Sequence, residues 1–112
     1  CFRVAVRALE AWLMADTDAL ASYLSIVKTR VPTDPEAEAD PKRTLVNLAR
    51  RSRRTAIVQD MVPREGSGRS EGPAYASRIK EFAENHWRPD AAAERSDSLR
   101  RAITCLRRLA AA

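Results

Sequence analysis

The chain has 112 residues, 45% hydrophobic and 31% charged, with a formal net charge of +5. That is the composition of an ordinary globular domain, long enough to bury roughly two-thirds of its unfolded surface. It excludes several classes. The apolar runs are too short to span a bilayer, nothing resembles a secretory signal, and two cysteines without partnered histidines build neither a zinc site nor a disulfide framework. A reducing cytoplasm is the expected compartment, with no membrane partner.

The densest apolar stretch comes first. Val4 and Val6 alternate with Ala5, as on a short strand over residues 2–6. Leu9, Trp12, Leu13 and Asp16 then fall on one side of a helix. A strand leaves its backbone groups unpaired unless it has neighbours, and no second strand pattern follows. Two arrangements meet that need: the chain is a fragment whose missing N-terminal region supplies the rest of a sheet, or the strand pairs with its copy in a homodimer. The fragment is the preferred reading, with residues 1–112 as one domain.

A second helix is expected from about Asp18 to Ser25, capped by Asp16 or Thr17, with Leu20, Tyr23 and Leu24 inward. Val31 to Asp40 reads as an extended acidic loop. Asp40-Pro41 is a helix start: Asp caps, and proline in the first turn lacks only an N–H that has no helical partner. Leu45, Leu48 and Ala49 then share one face. A short helix over Thr55 to Met61 buries Ile57 and Met61. The segment from Pro63 to Pro73 holds all three glycines of the chain and reads as its most mobile loop. A helix from Pro73 to about Trp87 carries Tyr75, Ile79, Phe82, Ala83 and His86 at helical spacing, and Pro89 ends it. The last helix starts near Ser96 or Asp97 and lines up Leu99, Ala102, Ile103, Leu106 and Leu109. The expected fold is therefore α+β and mainly helical, with five or six helices packed around an N-terminal strand-to-helix unit.

Charge is uneven. Residues 1–40 carry four basic and seven acidic side chains, whereas residues 41–112 carry sixteen basic and eight acidic. Seventeen of the cations are arginine, whose planar fork suits carboxylate or phosphate; a GC-rich coding sequence produces the same bias. Lys42, Arg43, Arg50, Arg51, Arg53 and Arg54 form the densest run and are the candidates for gripping a nucleic-acid backbone. No aromatic residues interleave with them for base stacking, and a solvated helix end explains the same run.

Four segments in order, Val-Ala-Val-Arg-Ala-Leu-Glu-Ala-Trp-Leu-Met-Ala-Asp (4–16), Asp-Pro-Lys (40–42), Gly-Pro-Ala-Tyr (72–75) and Ser-Asp-Ser-Leu (96–99), carry a resemblance. They look like the C-terminal half of an uncharacterised bacterial family whose N-terminal half is TOPRIM-like. The resemblance spans essentially the whole chain through short motifs. It implies the C-terminal part of a TOPRIM-like fold, in a nucleic-acid-directed, Mg²⁺-dependent protein. In that family the metal chemistry is expected from a strand ending in Glu-Gly and a later strand followed by Asp-x-Asp. Asp16-Thr17-Asp18 has the second spacing but follows a helix, and Glu65-Gly66 and Glu71-Gly72 lie downstream of it, in the wrong order. The resemblance thus implies an accessory part, inactive alone, with Mg²⁺ held only if the full-length protein has a TOPRIM-like site.

Glu10, Asp16 and Asp18 are the candidates for metal binding, and Glu10 and Asp16 for catalysis. Glu10 and Asp16 have structural alternatives: Glu10 pairs with Arg7, and Asp16 caps the next helix. The glycine loop lacks the Gly-Lys-Ser/Thr ending of a P-loop. His86 has no carboxylate or nucleophile beside it, Trp12 and Trp87 read as core anchors, and Cys105 as a small buried hydrophobe. The alternative function is a helical protein–protein interaction module with no catalytic activity.

Overall fold

Two aspartates set where helices begin. Asp16 accepts the backbone N–H of Ala19 and opens α2 (Thr17–Leu24), immediately after α1 (Arg7–Ala15). Asp40 accepts the N–H of Arg43 at 3.1 Å and opens α3 (Pro41–Arg50), with Pro41 in the first turn. The computed structural model describes residues 7–111. The remaining helices are α4 (Thr55–Met61), α5 (Tyr75–Asn85), α6 (Pro89–Ala93) and α7 (Asp97–Ala111), with short 3₁₀ turns at Lys28–Arg30 and Pro35–Ala37.

Among the described residues there is no strand and no sheet, so the α+β expectation is corrected to an all-helical fold. Helix begins at Arg7, and among the described residues seven α-helices replace the five or six expected. The strand expected over residues 2–6, and the sheet or dimer pairing built on it, lies outside the described residues. No helix among those described is long and apolar enough to cross a membrane.

Helix α1 forms the wall between two apolar clusters. Leu13 and Met14 enter the larger one, with Leu20 and Leu24 of α2, Leu45 and Leu48 of α3, Ile57 and Met61 of α4, and Tyr75 and Phe82 of α5. Ala15 and Trp12 face the smaller one, made with Ala92 of α6 and Leu99 and Ile103 of α7. Trp87 packs against both. A helix buried on two sides must be apolar nearly all round, which explains why the stripe expected at positions 9, 12, 13 and 16 is too narrow. Leu9, on the remaining side, is 44% exposed.

Helix α2 stops at Ser25, which takes a left-handed conformation (φ 55°) and returns its N–H to Ser22. The turn Arg51–Arg54 reverses the chain through the Ser52 hydroxyl, which accepts the Arg54 N–H at 2.9 Å. Helix α6 escapes the periodicity argument because it is five residues of Pro, Asp and Ala with only Ala92 buried.

Gly72 fixes the far end of the glycine loop. Its N–H donates to Met61 O at 2.9 Å, and a Cβ there would lie 2.5 Å from Asp60 O and 2.6 Å from Met61 C. Both obstacles are backbone, so they cannot turn aside. Gly72→Ala is expected to destabilise the fold by about 2–3 kcal/mol, as overpacking does. Urea unfolding measures it, with Gly66→Ala, at an open site of φ 78°, costing about 1 kcal/mol through backbone strain alone.

Candidate functional site

One face of α3 points into the core and the other is left to solvent. Leu45, Leu48 and Ala49 are buried, while Arg43, Asn47 and Arg50 recur on the outer face at spacings of four and three. The glycine loop passes beside that face. It turns on a bond from Ser67 N–H to Arg64 O (3.0 Å), and Gly66 and Gly68 take positive φ. It is tied back at Gly72 and by an ion pair from Glu71 to Lys42. The Lys42 ammonium also stands 5.5 Å from the centre of the Tyr75 ring.

Helix and loop enclose a cleft of about 420 Å³. Lys42, Arg43 and Arg50 line it from α3, and Arg69 closes it from the loop. Asn47 and Ser70 add hydrogen-bonding groups, Val46 and Pro63 an apolar floor, and Asp40 is the one carboxylate in the lining. Four cations against one carboxylate suit an anion with several oxygens, above all phosphate. Glu71, outside the lining, is paired with Lys42 and leaves the arginines as the unclaimed charges.

The basic run of the sequence is divided by the fold. Lys42, Arg43 and Arg50 line the cleft. Arg54 turns the other way, donating from Nη1 to Tyr23 O at 3.0 Å with its guanidinium over the Tyr23 ring. The Arg53 N–H is spent on Ser25 O, and Arg51 and Arg53 expose their side chains outside the cleft lining. Sequence reading missed Arg69, Asn47 and Ser70. Asn47 was legible, since it lies one turn from Arg43 and Arg50; Arg69 and Ser70 carry no local signal, because only the loop's path brings them to α3.

The acidic candidates are placed differently. Asp16 is 1% exposed. Its Oδ2 accepts the backbone N–H (2.9 Å) and Nε (3.0 Å) of Arg88, and its Oδ1 accepts Nη2 (2.7 Å). Burial pushes its carboxyl pKa up, but the Arg88 hydrogen bonds and the Ala19 N–H outweigh burial and hold it below the usual value. Asp18 is exposed and ion-paired with Lys28 at 2.5 Å, whose hydrogen bond and charge lower its pKa. Glu10 is half-buried on α1, near enough for its charge to act on Lys42 and Tyr75.

These three carboxylates therefore face different partners. Among the described residues no group of three or more His, Cys, Asp or Glu could hold a metal ion. The resemblance places Mg²⁺ in a part of the protein outside this chain, and Glu10, Asp16 and Asp18 do not come together as a site for it here.

The remaining polar groups hold the fold together. Trp12 donates from its indole to Ser98 Oγ (2.9 Å), and Trp87 donates to Trp12 O (3.0 Å). Glu36 accepts from the hydroxyls of Ser96 and Ser98 and from the Ser98 N–H; burial opposes its ionisation, and these bonds hold its pKa below normal. His86 is exposed, with its ring stacked on Phe82 and tilted against Tyr23. Cys105 is half-exposed and is not a free thiol, which corrects its reading as a buried hydrophobe and removes the cysteines from any argument about compartment. No family model, curated protein or solved structure matches the chain.

Asp16→Asn is expected to lower stability by about 2–3 kcal/mol, through the weakened cap and the broken pair. Because the folded pKa of Asp16 is depressed, its contribution is present above the unfolded value of about 3.9 and is lost as pH falls through the folded pKa. Urea midpoints taken from neutral to acid pH should fall less steeply in Asp16→Asn than in the parent.

Proposed function

We propose that this domain binds the phosphate backbone of nucleic acid through the cleft between α3 and the glycine loop. The observation that carries the reading is the convergence of Lys42, Arg43 and Arg50 with Arg69, contributed by a separate segment, around a space lined by one carboxylate. Backbone contacts of this kind supply affinity without reading sequence, because the phosphates are the same at every step. Where the resemblance to a TOPRIM-like family is taken up, the domain is an accessory part of a longer nucleic-acid-directed protein, holding the strand while chemistry is done elsewhere.

Titrating labelled DNA and RNA at rising salt tests this. With about three phosphates neutralised by the unclaimed arginines, affinity for duplex should fall roughly fortyfold between about 50 and 200 mM salt. Arg43→Ala, Arg50→Ala and Arg69→Ala should each weaken binding uniformly across sequences and reduce the salt slope by about one. Lys80→Ala, on the exposed side of α5 beside Glu84, should leave both unchanged. Failure to bind at the lowest salt overturns the reading.

A further inference from the structure

Helix α7 is only half used by the fold. Its first apolar residue, Leu99, is 4% exposed against α6 and α1, and Ile103 is half-buried at the edge of the same cluster. Beyond them Leu106 and Leu109 are 60% and 55% exposed. The apolar stripe therefore begins in the core and continues, in register, onto an open surface.

The register is specific. Leu99, Ile103, Leu106 and Ala110 follow one another at spacings of four, three and four, the seam of a two-helix coiled coil with Ile103 at a and Leu99 and Leu106 at d. Arg100 and Arg107 then occupy both e positions, and Ala102 and Leu109 both g positions. One edge of the open seam is thus basic and the other apolar. The carboxylate preference of the basic edge is visible within the chain: Asp90 of α6 lies 3.9 Å from Arg107, and Asp97 3.2 Å from Arg100.

We infer that the distal half of α7 is a docking face for an amphipathic helix of another protein that carries acidic residues beside its apolar stripe. Charge selects this occupant. In an antiparallel pair of α7 helices each Arg107 edge meets another such edge, and in a parallel pair the arginines face Ala102 and Leu109, so a second copy satisfies neither. A lipid surface is disfavoured because this half of α7 has no Trp, Tyr or Phe to anchor at an interface. An acid-flanked helix both covers Leu106 and Leu109 and pairs with Arg107.

The test uses the full chain and a synthetic helical peptide of about three heptads, with Ile at a, Leu at d and Glu at e and g. Fluorescence anisotropy should show saturable binding, about tenfold tighter than for the same peptide with Lys at e and g. Leu106→Ser should abolish binding with an unchanged melting temperature, since that side chain is already exposed. Arg107→Glu should reverse the preference between the two peptides. Equal binding of both peptides, or indifference to Leu106→Ser, overturns the inference. So does self-association removed by Leu106→Ser, or binding to anionic vesicles without binding to the Glu peptide. Because Arg43→Ala leaves α7 intact, peptide binding by that variant separates this face from the nucleic-acid cleft.

Discussion

A single buried carboxylate joins the two parts of this fold. Asp16 stands where α1 ends and accepts four N–H groups: one from Ala19, which starts α2, and three from Arg88, which precedes α6. A carboxylate at 1% exposure is tolerated only when its charge and lone pairs are met, and Arg88 meets them with backbone and side chain together. The contacts around it are also polar: Arg95 to the Thr17 hydroxyl, Trp87 to Trp12 O, Trp12 to Ser98, and Glu36 to Ser96 and Ser98. The α2–α5 part is held by a large apolar core. The α6–α7 part is held by this polar seam and a small cluster of alanines, Leu99 and two tryptophans.

That asymmetry shapes both surfaces of interest. A small second cluster has room to bury only the start of α7, so its distal stripe stays open. On the other side, α3 needs only one face for the large core, and its outer face is free to carry cations that the glycine loop completes. Two kinds of arginine result. Arg54, Arg78, Arg88 and Arg95 are tied to protein acceptors, and Arg43, Arg50 and Arg69 converge on the cleft. Arginine here does not form a uniform charge coat.

The helices that could be read from residues alone were those with chemical punctuation. Asp16 and Asp40 cap, Pro41 sits in a first turn, and the stripes of α2, α3 and α4 place Leu20, Leu45 and Ile57 in the core as their spacing implies. Helix α6 was not legible, because it has no stripe to detect. The fold class was misjudged on the alternation of Val4 and Val6 with Ala5, which reads as a strand over residues 2–6, outside the described residues. From Arg7 onward the first segment is a helix walled in on two sides, and no sheet occurs among the described residues.

What the residues determined by themselves was local: where helices start, which faces are apolar, and that the second part of the chain is basic. Those properties depend on neighbours within a turn or two, where geometry is set by the backbone. Tertiary structure alone decided which charges are spent and which are available. It committed Asp16 to Arg88, turned Arg54 toward Tyr23, brought Arg69 to Arg43 and Arg50, and left Leu106 and Leu109 uncovered. Each outcome depends on how segments far apart in sequence pack, and no short-range pattern encodes that.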